Sequence, residues 1–251
     1  AYANARSSGL EGGCFELLRQ GNKSQILPVP FMNMINGGAH ADNALMIQEF
    51  MLVPFGFKHF REALRCGVEV MKVLGELLCT QYGPLGQGFE GGYAPFTCHS
   101  NEQALDMLLE AVRVAGYGSK EVGVALDLAS TGFYDVQKGY AKRANAAFYL
   151  FSRDWADHVL DLAKSYDILS LEDPMAEDDW DGWQYLTQKA PQNLQLVGDD
   201  VFVTNARRLQ MGSERKVANT ILIKPNQVGT LSEVMQTVAL AKKLGFGQIF
   251  S

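Results

Sequence analysis

Positive charge is scarce in this chain: 22 Lys and Arg stand against 28 Asp and Glu in 251 residues, for a net charge of −6 and a pI near 5.3. Nucleic acid and anionic membrane surfaces both reward clustered Lys and Arg, and no such cluster occurs, so neither is expected as a partner. Cysteine is also sparse. Cys14, Cys66, Cys79 and Cys98 form no Cys-x-x-Cys pair, which speaks against a zinc ribbon or a thioredoxin-like motif and fits reduced thiols in a cytoplasm. No apolar run approaches the roughly 20 residues of a membrane span, and no basic-then-apolar leader is legible, so a soluble protein is expected. The glycine-rich stretch 86–95 lacks the Lys-Ser/Thr ending of a P-loop. What is present is 47% hydrophobic content, enough for the core of one large α/β domain or two small ones.

Four short apolar runs end on a charged residue. Residues 122–127 close on Asp127, residues 168–172 on Glu172 before Asp173 and Pro174, residues 194–199 on Asp199 before Asp200, and residues 220–224 on Lys224 before Pro225. Apolar runs this brief, bounded by residues that cannot continue a ladder, read as buried parallel strands. Each is followed by a helical pattern, near 155–166, 180–189, 204–211 and 230–245. The strand ends at 127, 172, 199, 224 and 251 lie 45, 27, 25 and 27 residues apart, and the last three steps each suit one strand, one helix and two loops. Right-handed βα repeats build either a barrel or a doubly wound sheet. Tips converging from four successive strands favour the barrel, because in an open sheet only the strands beside the switch point share a site.

The first half is less regular. An extended segment from Leu27 runs into a loop carrying His40, Asp42 and Asn43, and a strand over 48–54 holds Glu49 inside an apolar run. Residues 59–78 read as a helix burying Phe60, Leu64, Met71, Leu74 and Leu78. A flexible glycine-rich loop then presents Glu90. A capping box at Ser100–Gln103 opens a helix that ends at Gly116. Residues 1–25 read as a frayed helix and linker without legible chemistry.

At one barrel mouth, Asp127, Glu172 and Asp199 would place three negative charges together, costly unless a cation sits among them. A hard divalent cation with oxygen ligands such as Mg2+ answers that need; equally, each acid can cap the helix that follows it. Lys224 reverses the sign. A lysine held among metal ions can act as a base, and it can also simply bridge to the neighbouring acids. Glu49 and Glu90 are either general acids or ion-paired glutamates, and His40 either binds phosphate or is a loop histidine with its own hydrogen bond.

Several strings resemble the enolases in order along nearly the whole chain: Leu27-Pro-Val-Pro, Asn36-Gly-Gly-Ala-His-Ala-Asp-Asn43, Ile47-Gln-Glu-Phe50, Glu90-Gly-Gly-Tyr-Ala-Pro95, Ser170-Leu-Glu-Asp-Pro174, Val197-Gly-Asp-Asp-Val-Phe-Val-Thr-Asn205 and Ile223-Lys-Pro-Asn-Gln227. The resemblance implies an α/β fold, a (β/α)8-type enolase barrel. It implies reversible dehydration of 2-phosphoglycerate to phosphoenolpyruvate with two Mg2+, a cytoplasmic setting and a homodimer. It implies Asp127, Glu172 and Asp199 as ligands of the tighter metal, with Glu172 and Asp199 also near the substrate, and Lys224 as the base at C2. It implies Glu90, helped by Glu49, as the acid for the 3-hydroxyl, and His40 near the phosphate.

The chain departs from the pattern at Phe89, where enolases typically carry an acid, and at Gly132 before Phe133-Tyr134. On the same resemblance, residues 1–25 are a remnant of an N-terminal region and residues 26–251 a partial barrel domain. The barrel is expected to be incomplete at its C-terminal end, and the α+β capping domain largely missing. Such a fragment is expected to be inactive alone. The competing expectation is an enolase-like protein that binds without catalysis.

Overall fold

The computed structural model describes Gly9, residues 26–141 and residues 148–251; apart from Gly9, the linker expected over residues 1–25 lies outside the described residues. The strands are Met32–Asn36 (β1), Glu49–Val53 (β2), Leu85–Gln87 (β3), Tyr93–Pro95 (β4), Gly123–Asp127 (β5), Tyr134–Asp135 (β6), Gly139–Ala141 (β7), Tyr149–Leu150 (β8), Ser170–Glu172 (β9), Gln195–Gly198 (β10), Thr220–Ile223 (β11) and Gly247–Phe250 (β12). Nine of them form one sheet in the order β12-β11-β10-β9-β5-β2-β1-β4-β3. From β5 to β12 every neighbour is parallel, as the βα spacing predicts. The sheet is that of an α/β barrel whose end strands, β12 and β3, are not paired to each other among the described residues.

The reversal lies at β2, which runs antiparallel to both β1 and β5. The uniform βα repeat therefore does not extend to the first half. Alternation of side chains says which residues face water or core but carries no strand direction, so the sequence could not reveal this. The consequence is local and chemical. An antiparallel strand offers its first residue at the end where parallel strands offer their last, and the register pairs Glu49 with Asp127 and Asp127 with Glu172 in one row.

The two-residue period then assigns faces. Phe50, Leu52, Val124, Leu126, Leu171, Leu196, Ile221 and Ile223 enter the main core beneath the helices. Met51, Val53 and Ala125 form a separate small cluster on the opposite face, with Phe31 and Leu169 packed against it. Glu49, Asp127 and Glu172 fall on that second face by parity.

The helices are Phe60–Tyr82 (α1), Asn101–Val114 (α2), Ser152–Ser165 (α3), Trp180–Lys189 (α4), Ala206–Arg215 (α5), Pro225–Val228 (α6) and Leu231–Leu244 (α7). They pack in neighbouring pairs, α1 with α2, α3 with α4 and α5 with α7. Side-chain caps start four of them: Ser100 accepts from Gln103 N, Asp179 from Gly182 N, Asn205 from the amides of Arg207 and Arg208, and Thr230 from Glu233 N. Helix α1 buries Leu74 and Leu78 as the sequence predicts, but its first half turns a different face to the core. Phe60 and Leu64 are exposed, and the buried stripe is Ala63, Cys66, Gly67, Val70, Leu74 and Leu78. Large apolar residues guide the expectation, whereas close packing selects small ones: a Cβ at Gly67 would collide with Met32 Sδ of β1.

Strands β6, β7 and β8 form a small antiparallel sheet inside the excursion between β5 and α3. Its anchor is Tyr140, fully buried and stacked on Trp155 at 5.4 Å and 10°. The Tyr140 hydroxyl donates to Asp179 Oδ2 at 2.7 Å and accepts from Ala176 N at 2.9 Å. It thereby ties the excursion to the segment that follows Glu172. A Tyr140→Phe substitution strands both partners away from water and is expected to lower the unfolding free energy by about 1–3 kcal/mol in urea titration; an unchanged midpoint would show that the hydroxyl is not the anchor.

Candidate active site

One cavity of about 480 Å³ opens on the inner face of the sheet, and its lining includes Asn33, Glu49, Met51, Glu90, Glu172 and Lys224. Four of the expected site residues thus share one space although they come from β2, the β3–β4 turn, β9 and the end of β11.

Asp127 ends β5 almost fully buried, at 4% exposure. Its Oδ1 accepts from Ala129 N at 2.9 Å and its Oδ2 from Gln48 Nε2 at 3.0 Å. Burial outweighs these bonds and pushes the carboxyl up to about 7. Glu172 is driven well above the ordinary carboxylate range by burial and by the charges of Asp127, Asp173, Asp199 and Glu49. Asp199 follows β10. Its Oδ2 accepts from Lys224 Nζ at 2.5 Å and its Oδ1 from Gln227 Nε2 at 2.7 Å. The bridge that the sequence leaves open as an alternative for Lys224 is therefore made. Burial pulls the lysine down, but the Asp199 hydrogen bond and the charges of Asp199, Glu172 and Asp127 outweigh it and hold the lysine above its ordinary value. The protein's own groups thus favour the ammonium form.

Across the cavity, Glu49 and Glu90 are paired carboxyls whose acidities are pushed apart. Burial, the hydrogen bond to Glu90 and the charges of Asp127 and Glu90 push Glu49 up to about 9, while the same hydrogen bond holds Glu90 below its ordinary value. The proton rests on the inner carboxyl and the outer one is the anion. Asn33 Nδ2 supports that anion, donating to Glu90 Oε2 at 3.2 Å. His40 Nδ1 lies 3.4 Å from Glu49 Oε1, within ion-pair range but without a hydrogen-bond partner.

The loop expected to present Glu90 flexibly is the ordered turn of the β3–β4 hairpin, closed by Gly88 N donating to Gly92 O and Gly91 N to Gly88 O. Its glycines permit close approach to β1: a Cβ at Gly88 would collide with Asn36 Cβ, and one at Gly92 would stand 2.5 Å from Asn36 Oδ1. Phe89 ties this turn to the His40 loop. Its amide donates to His40 O at 3.0 Å, and its exposed ring meets the imidazole edge-on at 6.3 Å.

Two groups of potential metal-binding side chains among the described residues have ligand atoms within 4.8 Å of one another: His40, Glu49 and Glu90, and Asp173, Asp199 and Asp200. The expected set of Asp127, Glu172 and Asp199 is not drawn together to that degree, since Gln48 engages Asp127 while Lys224 and Gln227 engage Asp199. Sequence reasoning does not single out Gln48, Gln227 or Asn33. Each is a polar residue one to three positions from a charged or strand-end residue, a signal too common to choose by.

The titration directions fix a sign for stability. Between 4.5 and about 9 the folded chain keeps a proton on Glu49 that the unfolded chain releases, and Asp127 does the same between 3.8 and about 7. The folded state therefore binds more protons across this window, and stability falls as pH rises. In metal-free buffer the urea midpoint is expected to decline from about pH 5 to about pH 9, and Glu49→Gln to flatten the upper half of the decline; a midpoint that rises over this range would contradict the buried, protonated state of Glu49.

Known proteins carry the same arrangement of sequence. A family model described as "Enolase, C-terminal TIM barrel domain" matches residues 24–251. A protein named "Enolase" from a Nitratiruptor species is 45% identical over 252 residues, which cover 100% of this chain and 59% of that protein. The chain thus spans well under two thirds of that relative's length. No described helix is long and apolar enough to cross a membrane. With the parallel strands, the row of strand-end carboxylates and a match over nearly every residue in agreement, this chain belongs to the enolase C-terminal barrel family.

Proposed function

We propose that this chain is the barrel part of a phosphopyruvate hydratase, a carbon–oxygen lyase of glycolysis that interconverts 2-phosphoglycerate and phosphoenolpyruvate. The observation that carries the reading is one cavity lined by Lys224 and by the paired carboxyls of Glu49 and Glu90, with Glu172 between them in the register of the sheet. Loss of water across a carbon–carbon bond needs a base at the carbon that gives up a proton and an acid at the hydroxyl that leaves. Lys224 is the base at C2. Glu90, drawing on the proton held by Glu49, is the acid for the 3-hydroxyl, and His40 faces the phosphate.

The donor set suits Mg2+, of which family resemblance implies two. Asp127, Glu172 and Asp199 offer hard oxygen ligands without thiolate, and burial raises Asp127 and Glu172 for want of countercharge. These three residues would hold the tighter ion. Bound Mg2+ supplies charge stabilisation for the carbanion that forms beside the substrate carboxylate. Lys224 Nζ, at the cavity beside Asp199, is the group that in its neutral form would take the C2 proton.

A homodimer and a domain division at residues 25/26 belong to this reading on family grounds alone, and a cytoplasmic location on those grounds together with the sparse cysteines, which form no Cys-x-x-Cys pair. Residues 1–251 by themselves are expected to turn over little or no 2-phosphoglycerate, because the chain spans only 59% of the length of its 45%-identical relative. Measurable turnover by the isolated chain would overturn that expectation.

The decisive test places this chain in the corresponding region of the 45%-identical relative, giving a protein of that relative's full length. With 2-phosphoglycerate and Mg2+, phosphoenolpyruvate absorbance is expected to rise. Binding of 2-phosphoglycerate without product would instead support a non-catalytic, enolase-like binding protein. In the same background, Lys224→Ala is expected to abolish exchange of the C2 proton with solvent deuterium, followed by NMR; exchange at the parent rate would remove Lys224 from the role of base.

A further inference from the structure

Asp173 is a buried acid to which the proposed chemistry assigns no part. It follows Glu172 at the tip of β9, is 3% exposed, and has φ +38, in the left-handed region. Asp and Asn tolerate that region better than other residues with a side chain. The conformation turns the carboxylate sideways toward the next strand. Its Oδ1 accepts from Asp199 N at 3.1 Å and its Oδ2 from Asp200 N at 2.7 Å, so both oxygens grip consecutive amides of the turn that leaves β10. The Asp173 backbone is fixed as well: its N–H donates to Val197 O at 3.0 Å, and its carbonyl accepts from Ser130 N at 3.1 Å. One residue therefore joins the tip of β9, the tip of β10 and the loop after β5.

We propose that Asp173 is a positioning residue, whose two-oxygen grip on the Asp199 and Asp200 amides sets where the Asp199 carboxylate stands relative to Glu172 and Lys224. Charge-assisted bonds from a carboxylate to backbone N–H groups are directional and strong, and no shorter or neutral side chain supplies two acceptor oxygens at this spot. Asp173 itself need bind nothing. Its carboxylate is already engaged by amides, which separates it from Asp199 despite their closeness.

The inference rests on the metal-binding reading of Asp199 for one of its two readouts. Asp173→Asn keeps the left-handed backbone and one acceptor oxygen, and Asp173→Ala keeps neither acceptor. Magnesium titrated calorimetrically into the 251-residue chain is expected to bind about 10–100-fold more weakly to the Asn variant than to the parent, the range for loss of an outer partner of a ligand. The Ala variant is expected to bind more weakly still. The second readout needs no metal. The carboxyl carbon resonance of Asp199, read by NMR in magnesium-free Asp173→Asn protein, is expected to shift from its parent position. A parent that binds no magnesium counts against the metal reading, and the Asp199 resonance then decides the positioning role. Loss of thermal stability in Asp173→Asn with the Asp199 resonance unmoved would overturn the proposal, showing a residue that holds the fold without placing the ligand.

Discussion

Burial of like charge at one end of one sheet is the constraint under which the rest of this structure stands. Asp127 and Asp173 are shut away from water at adjacent strand ends, Glu172 stands partly buried beside them, and Glu49 meets Asp127 across the ladder. Isolated carboxylates in such a place would be prohibitive. The fold answers with three devices. Backbone amides and the side chains of Gln48 and Gln227 supply donors, Lys224 supplies an opposite charge, and Glu49 retains a proton. Each device depends on a particular strand ending at a particular register, so the electrostatics and the topology cannot be separated.

The site has two halves of different construction. On one side, Asp127, Glu172, Asp199 and Lys224 come from successive parallel strands, each placed by the same βα geometry. On the other, Glu49 comes from the reversed strand β2, Glu90 from a hairpin turn seated on Asn36, and His40 from the loop between β1 and β2. The first half is built by repetition and the second by individual contacts, of which the Phe89 amide on His40 O is one.

This difference decides what the sequence can reveal. Parallel strands buried on both faces are short apolar runs, and a charge at the end of each is conspicuous, so the second half of the chain and its four tip residues are directly legible. Residues 134–135 and 149–150 are strands of two residues, too short for any period, and the sheet they form with β7 leaves no pattern to find. The direction of β2 leaves no trace in an alternating pattern. Helix α1 misleads because Ala63 and Gly67, which make its packed face, carry too little apolar surface to be noticed. Glu90 stands out only through family resemblance, since its partner Glu49 lies at a distance that no local rule spans. Asp173 is visible as an acid before proline, but its role depends on a backbone torsion that sequence does not announce.

The reversed strand also shapes how the chain can fold. From β9 onward each parallel pairing joins strands separated only by one or two helices, whereas Gln48 and Asp127, hydrogen-bonded at the β2–β5 seam, are 79 residues apart in the chain. Seams of long sequence separation slow the search for the native topology. The β1–β2 pair and the later βα units draw on residues near one another in the chain, whereas this seam joins stretches far apart in it. Closing it also brings Glu49 against Asp127, so the proton that Glu49 holds in the folded chain is taken up as these strands meet. Near neutral pH, closing the seam and drawing a proton from solvent are thus one event.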